Sequence, residues 1–184
     1  MKNESMQKIF FSIAFIFLLC LNGQAQIKDT DKFIRELFNS FQTMDEKRFI
    51  DLYPDAIQLK TILLDLMKRQ TGSDSAALQL GKAMLNEITD SSLYIDYAKE
   101  YRKAMDSAKL AGVNWADAKF MFSQADTAVA EDIEGKMLRG MIYFTSEQKD
   151  YFISFYEVLW PKVMDGWLGA SIRNIGEMKH PEDE

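Results

Sequence analysis

An α+β fold, helical to about residue 112 and mainly antiparallel sheet thereafter, is what this 184-residue sequence predicts. Three observations carry the prediction. Apolar residues recur at three- and four-residue spacing through the first part of the chain, which gathers them on one stripe of a helix. After Gly112 the pattern changes to runs rich in aromatic and β-branched residues, separated by short polar or glycine-containing links. Helices first and adjacent strands afterwards point to an antiparallel meander covered on one face by helices. An all-helical chain, with Tyr151 to Leu159 as a buried helix, is the alternative, and a circular dichroism spectrum without a strand component would select it.

About five helices precede the sheet. Phe33, Ile34, Leu37, Phe38 and Phe41 form the first apolar stripe, with Asp29 or Thr30 as N-cap. Thr43-Met44-Asp45-Glu46 has the form of a capping box, hydroxyl first and carboxylate three residues on, and opens a short second helix. That helix stops before Pro54, because proline disfavours helical geometry in the residue preceding it. A third helix starts at Pro54 and carries Ile57, Ile62, Leu63, Leu66 and Met67, until Thr71-Gly72-Ser73-Asp74 breaks it. Ser75 to Thr89 forms the fourth, with Leu78, Leu80, Met84, Leu85 and Ile88 on a broad apolar face. The longest runs from about Ser91 to Leu110, with Leu93, Tyr94, Tyr97, Tyr101, Ala104, Met105 and Ala108 on one stripe as core and rim. Gly112 follows where a left-handed glycine closes a helix.

The expected strands are Lys136 to Ser146, Asp150 to Trp160 and Gly166 to Ile175, with Lys119 to Ser123 as a shorter fourth candidate. The single domain is therefore helical over 28–112 and mainly β over 117–176. The polar tail 178–184, with Pro181, is expected to fray. No internal repeat or low-complexity stretch occurs.

The N-terminus has its own pattern. Lys2 and Lys8 lead into the apolar run Ile9 to Leu21, and Asn22-Gly23-Gln24-Ala25 follows, the layout of a signal peptide cleaved after Ala25. Thirteen positions interrupted by Ser12 fall short of the roughly 20 apolar residues a membrane-spanning helix needs. Acylation at Cys20 is disfavoured by Leu19 before it. The Gly-Gln-Ala-Gln junction resembles those of exported proteins of Gram-negative bacteria, which implies the periplasm or secretion. Loss of 1–25 removes Lys2, Lys8 and Glu4 and takes the formal charge from −6 to −7. It also removes the one cysteine, so the mature chain must be held by its core without disulfides. A net acidic chain does not fit nucleic acid or an anionic membrane surface, and neither partner is expected.

If Glu147-Gln148 is a hairpin tip, paired positions sum to 295 and alternation sorts the sheet into two faces. Leu138, Gly140, Ile142, Phe144, Ile153, Phe155 and Leu159 face the helices, joined by Leu168, Ala170 and Ile172. Met137, Arg139, Met141, Tyr143, Phe152, Ser154, Tyr156 and Val158 face outward, with Trp167, Ser171 and Arg173. Two arginines among aromatics are notable in an acidic protein, because a guanidinium matches carboxylate or phosphate and stacks on rings. Arg139, Tyr143, Tyr156, Trp167 and Arg173 are the candidate ligand-binding residues. The ligand would be small and anionic or carbohydrate-like, or an acidic stretch of a protein partner. The competing reading pairs both arginines with local carboxylates such as Glu157 or Asp165.

Other chemistry lacks its residues. The one histidine, His180, sits in the tail, which leaves no ordinary zinc set and no base for a serine nucleophile. Asp126, Glu131, Asp132 and Glu134 lack the spacing of a calcium loop and read as a solvated connector. No glycine-rich phosphate loop occurs, and no spacing selects a carboxylate pair for work on a sugar. No catalytic residue, metal or cofactor is expected.

The segments Gly140 to Ser146, Asp150 to Phe155, Asp165-Gly166-Trp167 and Ile172 to Ile175 resemble the C-terminal meander of small exported bacterial α+β proteins of unknown function. Some of these are similar to the cystatin or nuclear-transport-factor type, whose curved sheet encloses a pocket. The expectation is an exported, non-catalytic binding or interaction module. A carboxylate-based enzyme with a pocket between helices and sheet, and a cell-envelope assembly component, are the alternatives.

Overall fold

The computed structural model describes residues 26–71 and 75–179. The export segment 1–25 with Cys20, the predicted break at 72–74, and His180 with the rest of the tail lie outside the described residues, as do the side chains of Leu78 and Leu80. Among the described residues five helices, α1 (Thr30–Gln42), α2 (Glu46–Ile50), α3 (Ala56–Thr71), α4 (Ser75–Leu85) and α5 (Asp90–Leu110), precede four strands, β1 (Lys119–Ala130), β2 (Gly135–Ser146), β3 (Lys149–Trp160) and β4 (Ser171–Glu177). The strands form one antiparallel meander in the order β1-β2-β3-β4. The α+β expectation holds.

Helix α1 begins where Asp29 accepts the Lys32 amide at 2.7 Å, and all five residues of its apolar stripe are buried. The second helix begins later than the hydroxyl pattern suggests. Asp45 is its N-cap, accepting the Arg48 amide at 3.0 Å. Thr43 instead closes α1, its hydroxyl donating back to the Asn39 carbonyl at 2.7 Å. Both residues can cap, and the left-handed Met44 (φ 52) between them makes Thr43 end one helix and Asp45 start the next. Helix α3 starts two residues after Pro54. The Asp55 side chain accepts the Gln58 amide at 2.8 Å while the Gln58 side chain accepts the Asp55 amide at 3.1 Å, a reciprocal cap. Two residues placed on apolar stripes point to solvent, Ile57 at 77% exposure and Met84 at 66%.

Helix α5 is capped by Thr89, and it closes as predicted at Gly112 (φ 82). The Gly112 amide donates to Lys109 and the Val113 amide to Ala108, so two end carbonyls are satisfied by the left-handed turn. The chain then drops onto the sheet. The Ser146 hydroxyl donates to the Asn114 carbonyl at 2.9 Å and accepts its amide at 3.0 Å, fastening the β2–β3 turn to the loop after α5.

The core lies between α1, α2 and α5 and one face of the sheet. Aromatic rings fill it. Phe38 meets Trp115, Phe120 and Phe144 at 5.6–6.4 Å between centroids, and Phe41 stacks on Tyr101 and Trp115 at 5.6 Å. Removing one such ring from a close-packed interior costs about 3–5 kcal/mol. Among Tyr94, Tyr97 and Tyr101 the helical stripe turns outward by degrees: Tyr101 is buried, Tyr97 half-buried and Tyr94 exposed.

The β2–β3 hairpin turns at Glu147-Gln148, both left-handed (φ 49 and 68). Its register sums to 295 from Ser146↔Lys149 to Gly140↔Phe155, then shifts by one to Leu138↔Val158. The shift is a bulge in which Tyr156 and Glu157 together oppose Arg139, with Glu157 left-handed at φ 55. It corrects the sequence reading beyond that point, because an extra residue exchanges the faces. Val158 is fully buried, and Leu159 takes the outward parity. A second bulge lies between β3 and β4, where Ser154↔Asn174 is followed by Phe155↔Ile172 and Arg173 is the extra residue.

Three further boundaries differ from expectation, the first being α4, which ends at Leu85 rather than Thr89. β1 runs to Ala130, so Asp126 belongs to a strand rather than a connector. The last strand starts at Ser171, not Gly166, and Leu168 reaches β3 through an isolated bridge to Leu159. Trp167 does not face outward. It is 4% exposed, bridged to Ile27 and edge-on to Trp160, because Gln26 and Ile27 form an extra rung beside it. A Cβ on Gly166 would stand 2.6 Å from Gln26 Cβ, so only glycine lets that rung approach.

Candidate functional site

The two bulges meet across β3. Arg139 on β2 and Arg173 on β4 flank the β3 stretch 154–157 and are both exposed. Two strand spacings separate their backbones, roughly 10 Å. Each side chain stands where the ladder gains a residue, the position at which a bulge re-aims what it carries. Tyr156, paired with Ser171, is exposed between them. Among the described residues neither arginine has an ion-pair or hydrogen-bond partner, and the carboxylates proposed to neutralise them are engaged elsewhere. Glu157 accepts from the Ser171 hydroxyl at 3.2 Å, and Asp165 pairs with Lys28 at 2.6 Å.

Beside this strip a groove of about 460 Å³ opens under α3. Tyr53, Leu59, Ile62 and Tyr97 line it from the helical side, and Met137, Glu157, Leu159 and Ser171 from the sheet. Helix α3 is held over this end of the sheet by Arg69, which donates to the Asp132 carbonyl at 3.0 Å and pairs with Asp65. The tyrosines keep their hydroxyls occupied: Tyr53 donates to the Ala170 carbonyl at 2.5 Å and Tyr97 to that of Pro54 at 3.2 Å. Burial pushes the Tyr97 hydroxyl up to about 12 and that of Tyr53 up as well, so both stay neutral donors. The groove is thus apolar in its walls, with Glu157 and Ser171 at the edge where the arginine strip begins.

Three of the five candidate residues, Arg139, Tyr156 and Arg173, come together. Tyr143 shares their face but stands four residues along β2 from Arg139, roughly 13 Å away. It stacks on Phe122 at 4.5 Å. Trp167 belongs to another place, a cavity of about 380 Å³ also lined by Gln26, Lys32, Glu36 and Arg48. Its indole N–H is buried without an acceptor. Arg48 there is spent on Glu36, with Nε and Nη2 both on Oε2 at 2.9 and 2.6 Å.

Sequence reasoning did not place Leu59, Ile62, Met137 and Leu159 in a shared groove, nor Glu157 in a left-handed turn inside a strand. Glu157 gives the one usable signal, as a charged residue in the middle of an otherwise aromatic run. Comparison with known proteins finds no matching family model, no similar curated protein and no similar solved structure. No helix among the described residues is long and apolar enough to cross a membrane.

Proposed function

We propose that the chain is an exported, non-catalytic binding module for a small amphipathic anion, with an apolar body in the groove and a carboxylate or phosphate head on Arg139 and Arg173. The observation that carries this reading is the pairing of two unneutralised guanidinium groups, set on facing bulges, with an apolar groove one residue row away. Guanidinium groups bind such heads through paired, charge-assisted hydrogen bonds. The strained backbone of Glu157 adds support, since strain inside a regular element is kept where a site needs it. Export is favoured by the way the fold takes up Gln26, the first residue after the predicted cleavage. Its side chain accepts from the Asp165 amide at 2.5 Å and lies 3.3 Å from the Met164 sulfur.

Decanoate, decyl phosphate and neutral decanol are suitable probes, titrated calorimetrically into protein recovered from the periplasm, with its first residue read by intact mass. Both anions should bind and decanol should not. Arg139→Ala with Arg173→Ala should weaken anion binding by at least about tenfold, the loss expected for one charge-assisted hydrogen bond or more. Equal affinity in the double variant would remove the site. A first residue other than Gln26 would remove the cleavage position and leave the site standing.

A further inference from the structure

Strand β1 is a long sheet edge whose stretch from Phe122 to Val129 lacks the usual protection. It spans Lys119–Ala130 and bonds only to β2 among the described residues; α1 meets it at Phe120, where Phe38 and Arg35 pack on the ring. Residues 121–129 are exposed almost throughout, Val129 at 78%. Natural edges are blunted by lysine, proline, short length or a covering element, because a free row of amides and carbonyls recruits another strand. Between Phe120 and Ala130 there is no lysine, arginine or proline, and Asp126 is the single charge. Its one bulge lies at the far end, between Phe120 and Phe122, and leaves the stretch from Phe122 onward regular. The opposite edge is treated differently: β4 is short, bulged, carries Arg173 and Glu177, and is packed by α5.

We infer that β1 pairs antiparallel with β1 of a second copy of this chain, about a twofold axis at Ala125, to make one eight-stranded sheet. Residues directly opposite in such a pair share a face, so only registers centred on a residue are open. Centring on Asp126 sets two carboxylates against each other. Centring on Gln124 sets Phe122 against a carboxylate. Centring on Ala125 sets Gln124 opposite Asp126 of the partner subunit, an amide against a carboxylate. It also sets Ser123 opposite Thr127 of the partner subunit, two hydroxyls, and Phe122 opposite Ala128 of the partner subunit, large against small. Of these three registers, charge, hydrogen bonding and size agree in the one centred on Ala125, and this self-complementarity selects a second copy as the occupant.

Sedimentation of the wild-type protein at tens of micromolar should give a dimer. Ala125→Lys, which sets two ammonium groups together on the axis while an edge lysine suits a monomer, should sediment as a monomer with an unchanged circular dichroism spectrum. In a Cys20→Ser background, Ala125→Cys should oxidise to a covalent dimer and Val129→Cys should not, since Val129 lies far from its own copy. A monomeric wild type overturns the inference. So does a dimer in which Ala125→Cys fails to cross-link, which also decides the matter if Ala125→Lys does not fold.

Discussion

Tyr101 is the residue whose packing and polarity disagree most. Its ring lies 5.6 Å from that of Phe41 and nearly parallel to it, and Phe49 closes another side at 5.3 Å, yet its hydroxyl is buried without a partner. An unsatisfied buried hydroxyl costs about 1–3 kcal/mol, while the ring contacts survive loss of the oxygen. Tyr101→Phe should therefore unfold at equal or higher denaturant concentration than wild type, by about 1 kcal/mol. A clear loss of stability would mean that the hydroxyl has a partner in solution. The arginines make the opposite case. Arg139 and Arg173 were legible as candidates because two guanidinium groups fall among aromatics in an acidic chain. What the sequence did not show is that each stands at a bulge, since where a ladder gains a residue is set by the pairing of two strands and not by either arginine's own neighbours.

At the scale of elements, Gly112 is the clearest junction. It holds φ 82 to close α5 and releases the chain toward the sheet. Gly112→Ala should lower stability by about 1 kcal/mol, the cost of a side chain in the left-handed region, with the secondary-structure spectrum intact. A chemical-denaturation midpoint equal to wild type would refute it. The helices were legible because their signals are local. Asp29, the buried stripe of α1 and Gly112 each act within a turn or two. The hairpin was legible as far as its turn controls it, and the 295 register runs true to Gly140. Beyond that, pairing answers to distant partners. Trp167 was misplaced because its neighbour is Ile27, 140 positions earlier in the chain, and the groove was missed because α3 supplies its roof. β1 was cut short since Gln124 to Ala130 has little strand character of its own and is paired by β2 along its full length.

Across the whole molecule, the tyrosines packed in the helical part make stability depend on alkaline pH. Burial pushes Tyr97 and Tyr101 up to about 12 and raises Tyr53 too. Below about pH 10 these groups are neutral in folded and unfolded chains alike and leave stability unchanged. Above it the unfolded chain loses those protons first, so stability falls as pH rises toward 12. Denaturation midpoints at pH 8, 10 and 11 should be level and then decline, with tyrosinate absorbance lagging until unfolding. A native protein whose tyrosines all titrate near pH 10 would contradict this.

The bulges have a consequence in time as well as in space. A hairpin zips outward from its turn, and the register begun at Glu147-Gln148, carried on unbroken, would leave Val158 in water and turn Leu159 inward. The ladder must slip by one residue midway, and the slip is rewarded only once the apolar layer beneath is there to receive Val158. The near half of the hairpin can close on local information, and the far half is expected to follow the docking of the helices, an order that slower amide protection of Met137 and Leu159 than of Tyr143 during refolding would report. The groove under α3 takes Met137, Glu157 and Leu159 from that far half, so its sheet wall is expected to form with the helices rather than with the turn.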